Sequence, residues 1–320
     1  MRAVRFHEHG GADVLQVDEV ERPDPGPDEV LLEVAGAGVN PVDTYFREGS
    51  YEPYGLPAIP GVDAAGEVVA VGESVTDLVP GDVAYATGLS SDRPGGYAEY
   101  VAVPTDRVVR LPDGVDPVAA GGAGVVAVTA WRALVDHAGV EPAEDVLIHG
   151  GSGGVGHVAV QLARAVGARV VATAAPAYHD EVEALGAATV LDYARDDLAD
   201  AVLAATDGGP DVIIDHRLDD YLQFDADVAA TGGRVVGIGE NDPGIGFERA
   251  SDARAKDLEV TLMSTFNTPR LADPMARLAL LFDRGDVRVE VARTYDLDAA
   301  GEAQHAVMDD SFLGKLVVTP

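Results

Sequence analysis

Between residues 146 and 166 the chain writes a strand, a glycine turn and a helix without interruption. Val146-Leu147-Ile148 is a continuous apolar run, His149-Gly150-Gly151-Ser152-Gly153-Gly154-Val155-Gly156 follows, and a helical pattern from about Val155 to Val166 carries Val158, Leu162 and Val166. Gly151, Gly153 and Gly156 fit G-x-G-x-x-G in the strand-turn-helix setting that gives the pattern its meaning. Residues without side chains let the backbone turn tightly and approach a pyrophosphate, whose charge then lies at a helix N-terminus where N–H groups point outward. Gly151, Ser152, Gly153, Gly154, Val155 and Gly156 are therefore the expected cofactor-binding turn. The same letters spell Gly150-Gly151-Ser152-Gly153-Gly154, the spacing of a hydrolase elbow. That use needs a supporting histidine and acid late in the chain, and nothing prefers it over the dinucleotide loop.

The surrounding text agrees with a parallel sheet covered by helices on both faces. Arg169–Thr173, Val212–Asp215, Arg234–Gly237 and Val260–Met263 are further apolar runs, separated by segments that suit helices. From Met1 to about Arg110 the texture differs. Short strands at Arg2–Phe6, Val30–Ala35, Glu67–Val71, Val83–Ala86 and Tyr97–Val103 are divided by Pro/Gly-rich turns, as in a mainly antiparallel module. Helices over Pro274–Arg284 and Ala299–Met308 and a strand at Lys315–Val318 close the sequence, and these are expected to fold back onto the first module. The fold class is α/β: a β-rich domain from 1–122 and 266–320, and a doubly wound parallel-sheet domain from 123–265.

Charge and cysteine content remove several function classes. Aspartate plus glutamate number 55 against 22 lysine plus arginine, a net charge of −33. No basic stripe exists to displace counterions from phosphates, so nucleic acid is not an expected partner. The acids are scattered through both halves and predict a halophilic surface, whose self-repulsion molar salt screens. Cysteine is absent, which excludes disulfides, thiolate catalysis and any zinc site that needs sulfur. No run approaches a membrane span and the first residues enter a strand pattern, so a cytoplasmic protein without a membrane partner is expected. The eight histidines show no metal-ligand spacing, and most are expected to face solvent or cap helices.

The strand after the glycine helix ends at Thr173, where a carboxylate would grip the ribose 2′-hydroxyl of NAD. Thr173-Ala174-Ala175-Pro176 offers none, so NADPH is the expected cofactor, with Thr173, Tyr178, His179, Tyr193 and Arg195 nearest its 2′-phosphate. For each of these, ordinary surface placement is the competing reading.

Read together, Asn40-Pro41-Val42-Asp43-Thr44-Tyr45, Ile59-Pro60-Gly61-Val62-Asp63-Ala64-Ala65-Gly66, Thr129-Ala130-Trp131-Arg132-Ala133-Leu134 and the Gly151–Gly156 turn are similar to the quinone oxidoreductase, zeta-crystallin-like branch of the medium-chain dehydrogenase/reductase superfamily. Gly95-Gly96-Tyr97-Ala98-Glu99-Tyr100 and Gly314-Lys315 add two further matches, and the likeness spans nearly the whole chain. The resemblance implies a GroES-like catalytic domain formed by both chain ends, a Rossmann domain, an active site in the cleft separating them, and a homodimer pairing along Val260–Met263. Zinc-dependent relatives hold their catalytic metal with an early cysteine, a Gly-His-Glu motif and a later cysteine. Asn40 stands at the first of these and Gly61-Val62-Asp63 at the second, so no metal site is expected.

Without a Lewis acid the substrate must carry its own means of spreading charge. A quinone or other conjugated carbonyl does so, leaving the protein to align it, exclude water and donate one hydrogen bond. The resemblance implies catalytic roles for Asn40, Tyr45 and Tyr51, and Tyr51 aligns with the proton-donating tyrosine of related enoyl reductases. The competing readings are a turn residue before Pro41 and tyrosines packed at a domain edge. By the same likeness Thr129, Gly239, Phe266 and Asn267 border the nicotinamide or pyrophosphate and Lys315 the cofactor phosphate. A zinc-free enone reductase and a non-catalytic NADPH-binding protein are the two alternative functions.

Overall fold

The computed structural model describes residues 1–320 and divides into two units: Met1–Val128 with Thr268–Gly285 and Val289–Pro320, and Thr129–Asn267 with Asp286–Arg288. The first unit opens with β1 (Arg2–Arg5), β2 (Gln16–Glu19) and the long β3 (Glu29–Val39), then α1 (Pro41–Glu48), β4 (Ala64–Val71), β5 (Val83–Ala86), β6 (Tyr100–Pro104), β7 (Val108–Arg110) and α2 (Pro117–Gly121). Helix α3 (Gly124–Trp131) continues into a π-helical turn over Arg132–His137.

The second unit holds β8 (Asp145–Ile148), α4 (Gly154–Val166), β9 (Arg169–Ala174), α5 (His179–Leu185), β10 (Thr189–Asp192), α6 (Leu198–Ala205), β11 (Val212–Asp215), α7 (Leu218–Val228), β12 (Arg234–Gly237), α8 (Ala250–Ala255) and β13 (Glu259–Leu262). Its strands all pair in parallel, in the order β10-β9-β8-β11-β12-β13. That order reverses direction between β8 and β11, and the crevice beyond the carboxyl ends of two such strands is where α/β sheets bind ligands. Val146, Leu147 and Ile148 are fully buried, which is why their strand reads as an unbroken apolar run instead of an alternation.

The chain then returns to the first unit with α9 (Ala272–Arg284), β14 (Val291–Asp296), α10 (Ala300–Asp309) and β15 (Lys315–Thr319). The larger sheet runs β14-β15-β3-β4-β5-β7, with β6 also on β3. Strand β15 is parallel to β14 and antiparallel to β3, in a register that sets Leu316 against Val39. Val30, Leu32, Val39, Leu316 and Val318 face one core with α10, so residues from both ends of the sequence stabilise the same unit. Pro41–Glu48 forms a helix that was not among the expected elements, and His149 and His157, unlike most of the eight histidines, are buried. No helix is long and apolar enough to cross a membrane.

Candidate active site

In the second unit, β8 delivers the chain into the glycine turn at the switch point. The turn hangs on the end of β9: Gly150 N donates to Thr173 Oγ1 at 3.1 Å and Gly151 N to the Thr173 carbonyl at 2.7 Å. Thr173 is 1% exposed, so its side chain supports the turn. Gly153 is the N-cap of α4 and no side chain caps it. The first amides of the helix are thus left for an external acceptor. At Gly156 a β-carbon would lie 2.0 Å from the Gly150 carbonyl oxygen, so only glycine lets the turn fold over the helix. Ser152, Gly154 and Val155 line the same turn, half-buried. These residues fit a dinucleotide diphosphate.

Other expected cofactor residues are placed individually. Tyr178 is half-buried, while Tyr193 is 50% exposed. The Arg195 guanidinium pairs with Asp197 at 2.6 Å, and His179 Nε2 meets the Ala174 carbonyl. Gly239 accepts Leu218 N at 3.1 Å. Thr129 is buried and its hydroxyl lies 2.5 Å from that of Thr265, while Phe266 and Asn267, which follow, are exposed.

Beneath the turn lies a cluster that sequence reasoning missed. His149 stacks on Tyr221, ring centroids 4.5 Å apart, and its Nε2 is 2.9 Å from Asp225 Oδ1. Burial pushes the imidazole down to about 4, so the contact is a hydrogen bond between a neutral ring and the carboxyl group. Burial also raises Asp215 to about 7 and Asp225 well above the carboxylate range. Burial thus favours the protonated form of both acids.

In the first unit the structure joins residues that the sequence offered separately. Asn40 follows β3 and is the N-cap of α1; its Nδ2 donates to Asp63 Oδ2 at 2.8 Å and to the Gly38 carbonyl at 3.3 Å. Its Oδ1 accepts from Lys315 Nζ at 2.7 Å, and the same ammonium reaches the Val39 carbonyl at 2.5 Å. Asn40 is 2% exposed and Lys315 3%. Asp63 Oδ1 receives the Thr87 hydroxyl at 2.6 Å and Val125 N at 2.8 Å. Asp43, three residues after the N-cap, accepts Asn40 N and Val62 N, both at 2.9 Å, and the Tyr97 hydroxyl at 3.3 Å. Burial pushes Asp43 up to about 7 and Lys315 down to about 8, the latter opposed by Asp63 and Asp43. Asp63 is also raised by burial and pulled back by Lys315.

Farther along α1, Tyr45 is half-buried and packs edge-on against Tyr51, ring centroids 5.7 Å apart. Tyr51 is 49% exposed and leans on Phe46 as well. Thr87 carried no motif and Tyr97 was noted only within the Gly95–Tyr100 match; the spacing of Asp43 after Asn40, that of a capping pair, was a local signal for this network.

A doubly wound sheet with a bare-amide glycine turn at its switch point, together with a β-rich unit built from both chain ends, defines the dinucleotide-binding oxidoreductases of the medium-chain class. Family models agree: residues 26–113 match the alcohol dehydrogenase GroES-like domain and 185–318 the zinc-binding dehydrogenase model. Quinone oxidoreductase of Lama guanicoe is 34% identical over 324 residues, covering 99% of this chain and 97% of that protein. Among solved structures, an Escherichia coli quinone oxidoreductase complexed with NADPH superposes with a TM-score of 0.88 at 27% identity, and an NAD-dependent alcohol dehydrogenase with 0.92 at 28%, each covering the whole of both chains. The chain belongs to the quinone oxidoreductase family of the medium-chain dehydrogenase/reductase superfamily.

Proposed function

We propose that the chain is an NADPH-dependent reductase of quinones or similarly conjugated carbonyls, working by direct hydride transfer without a metal. The observation that carries this reading is the uncapped start of α4 behind Gly153, held by Thr173 at the switch point. The residues that end β9, Thr173-Ala174-Ala175-Pro176, include no carboxylate of their own to oppose a 2′-phosphate, which favours NADPH over NADH. When bound, the nicotinamide supplies the hydride; the chain's part is to orient it, exclude water and provide a proton. Exposed Tyr51 is the proposed donor of that proton, with Tyr45 against its ring edge fixing its direction.

Metal independence is supported by the donor set. Both amide hydrogens of Asn40 are committed to acceptors within the chain, and its oxygen faces an ammonium at 2.7 Å, so Asn40 and Asp63 do not fit a dication. A halophilic cytoplasmic homodimer completes the reading. The scattered acids support the first part, and edge strand β13, with Val260 and Leu262 exposed, supports the last. A second reading, enone reduction, is favoured by the exposed phenol of Tyr51.

Dinucleotide oxidation against a panel of quinones and enones in molar salt tests both. Turnover with NADPH well above that with NADH is expected, and Tyr51→Phe should slow enones by about tenfold or more while affecting quinones less. Tight NADPH binding with no turnover on any acceptor would overturn the proposal.

A further inference from the structure

The sequence holds two lysines, Lys256 and Lys315, against 55 acids, and the structure buries the second one completely. A buried ammonium is costly unless its charge is answered and its hydrogens are accepted. Both conditions are met inside the first unit. The register of β15 on β3 brings Lys315 to the end of β3, where Nζ bonds the Val39 carbonyl and Asn40 Oδ1. The stem packs beside Gly122, whose absent β-carbon would lie 3.2 Å from Lys315 Cβ. Asn40 then passes the constraint on. With its oxygen on the lysine and its nitrogen on Asp63, the amide has one orientation, and Asp63 is itself fixed by Thr87 and Val125 N. The residue so held is the N-cap of α1, the helix that carries Tyr45 and leads into Tyr51, whose N donates to the Tyr45 carbonyl at 3.1 Å.

We propose that Lys315 is a positioning residue: its ammonium serves as the internal cation of the Asp63–Asp43 pair and, through Asn40, sets the start of α1 and hence the two tyrosines, instead of meeting the cofactor phosphate. The proposal deepens the reading of Tyr45 and Tyr51 as part of the reaction site and rests on it. It also gives Asn40 a different task, since an amide with both hydrogens and its oxygen engaged inside the chain acts by holding a helix. One cation answers two carboxyl groups, and Tyr97 is the remaining titratable group facing them.

The test is Lys315→Met, with its nicotinamide-dinucleotide affinity and turnover measured in molar salt. Affinity for NADPH and for NADH should each stay within about twofold of the parent, while kcat falls about tenfold or more with either. The parent's turnover should also decline on the alkaline side above about pH 8, where the ammonium titrates, and that limb should be missing in the variant. A phosphate-binding lysine gives the opposite pattern: NADPH weakened strongly, NADH unchanged and kcat spared. That result, or an unaltered kcat and pH profile, overturns the proposal. If the single variant does not fold, Lys315→Met/Asp63→Asn removes the stranded carboxylate and carries the same measurements. Should the parent bind neither dinucleotide, the reductase reading fails. The clamp is then read from melting: Asp63→Asn must cost much less in the Lys315→Met background than in the parent, and simple additivity refutes it.

Discussion

At the start of α1 a single carboxyl group, that of Asp43, accepts two backbone amides and a tyrosine hydroxyl while fully buried. Burial lifts it from 3.8 to about 7, with Asp63 adding to the rise and the amides and Lys315 opposing it. The folded state therefore binds this proton more tightly than the unfolded chain does. By linkage, the resulting stability is fully present below about pH 4 and lost as pH rises through about 7. Asp43→Asn should lower the melting temperature at every pH, because Asn40 N and Val62 N donate to different carboxyl oxygens and the amide turns one of those acceptors into a donor. It should also make the decline between those two pH values shallower, by about one proton. Melting curves across that range check the slope, and an unchanged slope means Asp43 is ionised throughout. None of this was readable from composition. The Lys315–Asn40 contact joins residues 275 positions apart and Asn40–Asp63 spans 23, and such pairs follow from sheet register, which no local pattern records.

Elements were more legible where burial was two-sided. The central strands of the parallel sheet stand out because each carries an uninterrupted buried apolar run, whereas β14 is exposed along most of its length and β10 has only Val190 and Leu191 between polar ends, so neither left a mark. Helix α1 hid behind Asn40-Pro41, which reads as a turn; proline at the first helical position is nonetheless compatible with helix entry. The strand-turn-helix form of the entry to α4 was readable, because it is contained in consecutive residues, while its support by Thr173 from β9 was not. Two of its glycines separate packing from binding. Gly156→Ala would drive a methyl against the Gly150 carbonyl, and should reduce both melting temperature and dinucleotide affinity. At Gly153 the added carbon would sit 3.2 Å from the same oxygen, so Gly153→Ala should cost about 1 kcal/mol or less in stability yet weaken dinucleotide binding about tenfold, by standing where a phosphate approaches. Calorimetric melting with fluorescence titration distinguishes them, and full affinity in Gly153→Ala would remove the phosphate from that turn.

For the whole molecule, a net charge of −33 makes the solvent part of the design. The Debye length grows from about 3 Å in 1 M salt to about 10 Å in 0.1 M, so acids that ignore one another in the first condition repel in the second. A salt series followed by melting and light scattering should show a lower melting temperature on dilution and, in high salt, the mass of a dimer. A salt-independent melting temperature removes the halophilic reading, and a monomer mass removes pairing through β13. The closing strand also has a consequence for how the protein is made. Residues 315–319 fill a place between β14 and β3 in the larger sheet, yet they are synthesised after both. As the chain leaves the ribosome, the parallel-sheet unit is able to fold early. The other unit must wait, with Asp63 and Asn40 lacking their lysine, until β15 emerges, so a message cut short before codon 315 encodes the whole parallel-sheet unit but not the strand that completes its companion.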